Sequence, residues 1–478
     1  MRDRSELHNY QSKAIDHIKV NPRSMLWLDL GLGKTASALT AATDLMNSMQ
    51  VYGVLVLGPL RVCQTVWAKE AKVWHHTKHL KFSLIHGKEH HRKWALAKHA
   101  NVYLLNYEGV PWAVDAFINQ YLARGIPLPF NMVVFDEITK LKSTRTHEGG
   151  AWGRSLQKIL PYIPWRVGLT ATPAPNGLQD LFGQYLVLDD GERLGTSYTN
   201  FESAYFQQAD RGGYKYTITD LGEQFIQARV SDITLQMDAD DYLELPPNMD
   251  NLIEVVLPDK LQAQYDKLEK EMFVELDSGF KLDVENAAIL SGKCRQFANG
   301  AIYTNPEDRT LWDEVHNHKL DALVEVIEEL NGDPLLLGYQ FKHDAARIKK
   351  RFDKEKIKYV HFDSKIRGTE AQELEIAWNN GEYPVMLGHG QSIGHGLNFQ
   401  YGCANVGWFG LPFSSETYRQ FNGRVKKRQG QKRPTTVHKF LTANTVDLLV
   451  DAALDYKTQS EESIRAAVDS YRTNKLGV

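Results

Sequence analysis

The sequence predicts an α/β protein made of two doubly wound parallel-sheet lobes. Three observations carry that reading. Short β-branched or leucine-rich runs alternate with amphipathic stretches, the rhythm of parallel strands covered by helices. The alternation comes as two separate series, one per lobe. A length of 478 residues also exceeds what one core comfortably fills.

Expected strands of the first series are Ser24–Asp29, Gly53–Gly58, Val102–Leu105 and Met132–Phe135. Those of the second are Pro334–Gly338, Lys358–Phe362, Val385–Gly388 and Asn405–Phe409. Polar or glycine-bearing residues and then a helical pattern follow each one. From about Asp189 to Asn317 the alternation breaks down into a charged, aromatic stretch with helical runs such as Asp259–Glu275, so a mostly helical insertion is expected there. Leu245-Pro246-Pro247 makes a boundary, because proline ends regular structure. The expected division is residues 1–235 with an insertion from about 189, and residues 245–478 with a helical insertion at about 259–318. Glu461–Lys475 reads as one polar helix.

Hydrophobic residues make up 42% and charged residues 24%, the balance of an ordinary globular protein. The N-terminal stretch is polar and amphipathic, and no window offers the roughly 18 apolar residues of a membrane span. The chain therefore reads as cytoplasmic, with no membrane partner. Cys63, Cys294 and Cys403 lie far apart, and the pairs His75-His76 and His90-His91 have no neighbour at metal-ligand spacing, so surface histidines are the better reading. The net charge of −3 leaves any nucleic-acid contact to local patches. The densest one singled out is Arg424, Lys426, Lys427, Arg428, Lys432 and Arg433.

Chemistry first shows at Asp29-Leu30-Gly31-Leu32-Gly33-Lys34-Thr35, directly after a strand and before the expected helix Ala36–Met46. Backbone N–H groups of a glycine loop at a helix N-terminus can surround phosphate oxygens. Lys34 would neutralise phosphate charge and the Thr35 hydroxyl would hold Mg²⁺. Leu28 stands where the general P-loop pattern has its first glycine. The second element is Val133-Val134-Phe135-Asp136-Glu137, whose carboxylates emerge at the C-terminal edge of a buried parallel strand, the edge where the loop sits. Asp136 would bind Mg²⁺ through water, and Glu137 would polarise the attacking water. Together the two place a nucleoside triphosphate site, with Mg²⁺, in the first lobe.

LDLGLGKT, DEITKLKS and Gly168–Asn176 (GLTATPAPN) resemble superfamily 2 helicases and, more narrowly, their Swi/Snf branch. The resemblance runs along almost the whole chain. Leu7–Gln11 is similar to the entry motif in which the glutamine, here Gln11, reads adenine. Gly58-Pro59-Leu60 with Trp67 and Glu70 resembles motif Ia, and Asn106-Tyr107-Glu108 resembles motif Ib. The Leu245–Asn248 step before an apolar strand and Tyr265, the pair Arg295-Gln296 and the pair Lys319-Leu320 also fall where the family has similar residues. Ser392–Asn398, with Gly394 and Gly396, looks like motif V in its compact bacteriophage form. Gln420, Gly423, Arg424 and Arg428–Gln431 resemble motif VI, which delivers arginine to the γ-phosphate. Arg424 and Arg428 are four apart where the family has three. Both would share a face if helical, and Arg428 heads the better-matched half.

The resemblance implies two RecA-like lobes that hydrolyse ATP between them and step along DNA, with Arg61, Asn106, Lys142, Gln340 and Ser392 near the nucleic-acid backbone. Such contacts predict binding to duplex or branched DNA that is salt-sensitive and independent of sequence. Tyr198, Phe201, Tyr205, Phe206, Tyr214 and Tyr216 would form either a base-stacking wedge or the core of a small insertion. Competing readings are an RNA helicase, which Asp136-Glu137-Ile138-Thr139 disfavours, and an ATP-binding scaffold without turnover, supported only by the arginine spacing.

Overall fold

The computed structural model describes the chain apart from residues 146–149, 175–176, 209–215, 243–247, 278–291, 306–307, 364–365, 367–368, 394–398, 426–432 and 456–478. Two compact units are present, Met1–Leu243 and Glu244–Val478.

The first unit contains β1 (Arg23–Leu28), β2 (Val54–Gly58), β3 (Phe82–Ile85), β4 (Val102–Asn106), β5 (Met132–Asp136), β6 (Trp165–Thr170), β7 (Phe206–Gln208), β8 (Tyr216–Ile218) and β9 (Thr234–Met237). Seven of them form one parallel sheet in the order β3-β4-β2-β5-β6-β1-β9, and β7 and β8 pair as a separate antiparallel hairpin. The apolar runs are continuous because both faces are covered. Leu55 and Leu57 of β2 pack into one core, with Tyr103, Val133 and Phe135, while Val54 and Val56 pack into another, with Leu26, Leu28, Val134 and Leu169.

The second unit contains β10 (Asn248–Val255), β11 (Ala301–Tyr303), β12 (Trp312–Glu314), β13 (Leu335–Tyr339), β14 (Tyr359–Phe362), β15 (Val385–His389), β16 (Asn405–Trp408) and β17 (Thr435–Thr442). Six form a parallel sheet in the order β10-β17-β16-β13-β15-β14, with β11 and β12 an antiparallel pair. Leu335, Leu337 and Leu387 face one core, and Leu336, Met386 and Val406 the other.

All eight strands expected from the sequence are present within a residue or two, and the helices Lys34–Asn47 and Asp259–Asp277 cover the expected runs. Strands β3, β6, β9 and β17 were not in the expected series. The insertion of the second unit adds the β11–β12 hairpin to its helices. Glu461–Lys475 lies outside the described residues. Of the aromatic group, Phe201 and Phe206 are buried in the first unit's core, and Tyr198, Tyr205 and Tyr216 are half-buried against it, as the core of a small insertion would be. Tyr214 lies outside the described residues.

Strand β6, an interior strand of the first sheet, carries a fully buried arginine. Arg166 donates to the carbonyls of Ile163 (3.2 Å), Val187 (3.2 Å) and Leu160 (2.6 Å), and pairs with Asp190 at 2.7 Å. It thereby fixes β6 to the segments on either side. Arg166→Met is expected to leave those carbonyls unpaired and destabilise the unit by about 3 kcal/mol, read as a lower thermal or urea midpoint. An unchanged midpoint would show that Arg166 is dispensable to the sheet.

Candidate nucleotide site and nucleic-acid surface

At the end of β1 the chain must turn sharply into a helix. Gly31 (φ +89°) and Gly33 (φ +69°) both take left-handed conformations that L side chains rarely adopt. Asp29 Oδ1 accepts the Leu30 N–H at 2.7 Å and tightens the turn. Gly33 is the N-cap of the helix Lys34–Asn47 and brings no side chain to cap its first amides. Leu28, at the place of the absent first glycine, is the fully buried last residue of β1, a core position. Lys34 Nζ donates to the carbonyls of Leu28 (2.7 Å) and Asp29 (3.2 Å), which holds the ammonium over the loop. Thr35 follows in the first turn, half-buried.

Gln11 joins this loop from the helix Asn9–Val20. Its Oε1 accepts the His8 N–H at 2.9 Å, which orients the amide, and the residue is buried. Its Nε2 lies so close to Gly33 that a Cβ there would sit 2.3 Å away.

Asp136 ends β5 on the same edge. β6 lies between β5 and β1, with Asp136 opposite Leu169 and Thr170 opposite Trp27. The Trp67 Nε1–H donates to Asp136 Oδ2 at 2.9 Å, and the Tyr107 hydroxyl donates to the carbonyls of Asp136 (3.0 Å) and Glu137 (3.3 Å). Burial raises the Asp136 pKa above its ordinary value, while the Trp67 hydrogen bond, the Lys34 charge and the Glu137 amide pull it down. Burial likewise raises the Tyr107 hydroxyl well above its ordinary value, so it stays a donor. Glu137 holds a left-handed backbone (φ +59°), a costly conformation for a non-glycine residue. Thr170 is buried, and its hydroxyl accepts the Thr172 N–H at 3.0 Å.

Three of the nucleic-acid candidates lie along this edge of the first unit. Arg61 follows β2, and Asn106 ends β4 with its amide donating to Glu108 at 2.6 Å. Lys142 follows the turn after β5 and pairs with Asp180 at 3.5 Å. In the second unit Gln340 follows β13, in a turn whose amides at Gln340 (3.3 Å) and Phe341 (2.9 Å) donate to Asp344. Ser392 lies half-buried on the short helix Gly390–Ile393 after β15. Gln420 is buried, with its amide on Glu416 at 2.8 Å. Arg424 is buried too, with Nε donating to the Gln420 carbonyl at 3.2 Å. The helix Ser415–Asn422 stops before it at Gly423, so the expectation of one helical face shared by Arg424 and Arg428 does not hold at Arg424. Arg428, Gly394 and Gly396 lie outside the described residues.

Trp67 and Tyr107 are site members that residue chemistry alone did not single out. Their signal was only the likeness of the surrounding segments to motifs Ia and Ib. Among the described residues no cluster of three or more His, Cys, Asp or Glu could hold a metal ion by itself, and no helix is long and apolar enough to cross a membrane.

Fold and loop together define a two-unit α/β protein of the P-loop type. The SNF2-related domain model matches residues 15–298, and the helicase conserved C-terminal domain model matches residues 318–429. The chain belongs to the SNF2-related family, its two sheets are RecA-like lobes, and the two domains imply ATP hydrolysis. Protein p41 of Acyrthosiphon pisum secondary endosymbiont phage 1 is 36% identical over 451 residues, covering 92% of this chain and 94% of p41. YwqA of Bacillus subtilis (strain 168), named as an ATP-dependent helicase/translocase, is 23% identical over 91% of this chain but only 46% of its own length. The chain thus spans about half of that relative. The solved Sulfolobus solfataricus SWI2/SNF2 ATPase core in complex with dsDNA is 20% identical, covering 98% of this chain and 96% of its own with a TM-score of 0.44.

Gly33→Ala would force a side chain into the left-handed turn and against Gln11. It is expected to weaken binding of a fluorescent ATP analogue by about tenfold or more, with the fold retained. Wild-type affinity in this variant would separate Gln11 and the loop from nucleotide binding.

Proposed function

We propose that this chain is an ATP-dependent DNA translocase or helicase that moves on duplex or branched DNA, in replication, recombination or repair. One observation carries the reading. A glycine loop sealed by Gln11 shares a sheet edge with a buried carboxylate, Asp136, that feels the charge of Lys34.

These residues suit a nucleotide triphosphate. The main-chain carbonyls of Leu28 and Asp29 hold Lys34, and it can exchange them for phosphate oxygens as stronger, charged acceptors. The uncapped amides at the start of the helix Lys34–Asn47 favour the same anion. Gln11 would read the adenine edge. Thr35 and Asp136 are the residues that would hold Mg²⁺, whose chemistry is to neutralise charge on the phosphates. Trp67 keeps the Asp136 carboxylate oriented for that role. Glu137 would position and polarise the attacking water. From the second unit, Arg424 or Arg428 would supply the cation that stabilises the transferring phosphoryl oxygens, with Gln420, Gly394 and Gly396 shaping that contact.

Cycles of binding and release that change the relation of the two units would step the chain along its track. Arg61, Asn106, Lys142, Gln340 and Ser392 are proposed to meet the DNA backbone. Such contacts carry position and not sequence, so movement would be independent of sequence.

Lys34→Ala is expected to abolish nucleotide binding, and near wild-type hydrolysis would refute the phosphate assignment. Glu137→Gln is expected to bind ATP and DNA normally while turnover falls about 100-fold or more. A retained rate would remove Glu137 from the chemistry. Hydrolysis by the purified chain, measured without nucleic acid and with duplex, forked DNA, single strands and RNA, tests the whole reading. Stimulation by duplex or forks is expected. Stimulation by RNA alone, or no turnover at all, would overturn it.

A further inference from the structure

The segment His75–His99 departs from the rest of the chain in charge. It holds Lys78, Lys81, Lys88, Arg92, Lys93 and Lys98 against a single acid, Glu89, in a chain whose net charge is −3. Folded, it forms the outer strand β3, a turn at Gly87 (φ +92°) and the helix Glu89–Ala97. The helix buries only Ala95 and Leu96, while its largest apolar side chain, Trp94, is 69% exposed.

The surface is nonetheless firmly built. Ser83 Oγ donates to the Ala95 carbonyl at 2.7 Å, and the Tyr103 hydroxyl donates to the Lys98 carbonyl at 3.0 Å. The Arg92 guanidinium lies over the Trp112 ring at 4.2 Å, which ties the helix to its neighbour Val110–Gln120. The one acid, exposed Glu89, pairs with Lys93 at 2.8 Å, and the surface keeps an excess of positive charge. Lys88, Lys93 and Lys98 are exposed, and Lys98 Nζ stands 5.4 Å from the Trp94 ring.

An edge strand is commonly shielded by lysines against pairing with another sheet. That accounts for Lys78 and Lys81 but not for an exposed tryptophan, which would make the edge stickier. Nor does the patch belong to the nucleotide site. In the sheet order β3 is five strands from β1, roughly 24 Å at the usual strand spacing. It is, however, next to β4, whose end carries Asn106; Lys88 follows β3 at that edge, and the helix leads Trp94 and Lys98 back toward the start of β4.

An exposed aromatic ring set among lysines matches the chemistry of a DNA single strand, in which unpaired bases offer π-faces and the backbone offers phosphates. We propose that Trp94, with Lys88, Lys93 and Lys98, forms a second DNA-binding surface that holds a single-stranded arm of a branched substrate, Trp94 stacking on a base and the lysines meeting phosphates. This rests on the DNA-motor reading for its substrate.

The test compares the full chain with Trp94→Ala and with the triple variant Lys88→Ala/Lys93→Ala/Lys98→Ala. Binding is followed by fluorescence anisotropy on oligo-dT, on a fork with a single-stranded arm and on a blunt duplex, over a range of salt. Trp94→Ala is expected to weaken oligo-dT and the fork by about tenfold. The triple variant is expected to lose about two units from the salt slope on single strands, at about 0.7 per phosphate contact. Blunt-duplex binding, DNA-free ATP hydrolysis and thermal midpoints should stay as in the wild type. Unchanged oligo-dT binding in both variants overturns the proposal, and so does an equal loss on blunt duplex, which would make the patch a general polyanion surface. If the wild type hydrolyses ATP in response to DNA while the variants bind as it does, only the patch fails. If the wild type shows no DNA response, the motor reading fails by itself.

Discussion

A sheet whose strands all run one way must place every strand's C-terminal loop at one edge, and the first unit's site depends on that constraint. β1, β5 and β6 bring the Gly31–Thr35 loop, Asp136-Glu137 and Thr170 to that edge, although they come from segments more than thirty residues apart. The register that sets Asp136 against Leu169 and Trp27 against Thr170 also sends alternate residues into two separate cores. A slip by one residue would exchange those two cores, so packing on both faces holds the site in register. The glycine loop is then closed from outside the sheet by Gln11, whose amide fills the space that a side chain at Gly33 would need.

Much of this was legible in the sequence because the sheet is covered on both faces. Val54–Leu57 and Met132–Phe135 show as unbroken apolar runs, and the chemical residues follow them directly. Two of the strands that escaped notice carry buried charges that other parts of the unit satisfy. In β6 the run is broken by Arg166, which the carbonyls of Leu160, Ile163 and Val187 satisfy. In β17 the buried Lys439 is paired with Asp250 at 3.0 Å and Asp451 at 2.8 Å, on β10 and on the helix Val446–Asp455. No local pattern reveals such a partner, so a charged residue in a strand reads as a surface or a loop.

The same distinction runs through the site. Lys34, Thr35, Asp136 and Glu137 belong to short patterns whose proposed chemistry is suggested by residue type and spacing. Trp67 lies sixty-nine residues before Asp136, and only the fold makes it the donor that orients that carboxylate. Arg424 shows the opposite case. Its spacing from Arg428 invited a helical reading, but Gly423 ends the helix just before it, and the side chain bonds back onto the Gln420 carbonyl.

The second unit fixes its own edge by a different means. Asp344 caps the helix Lys342–Glu355 by accepting the Gln340 and Phe341 amides, and the Asn299 amide donates to it at 3.0 Å. Lys319 then links Asn299 (2.8 Å) to Asp447 (2.5 Å), and Asp447 accepts the Thr442 amide at the end of β17 (3.0 Å). Asn299, Lys319, Asp344 and Asp447 are all buried. A buried ion pair of this kind gains little net stability over apolar packing, because desolvation offsets the attraction. Its effect is geometric: breaking any link leaves a buried charge or amide unpaired, so the alternatives are costly. The network therefore holds the turn bearing Gln340 in one fixed relation to the ends of β13 and β17, which is what a residue proposed to grip a moving backbone requires.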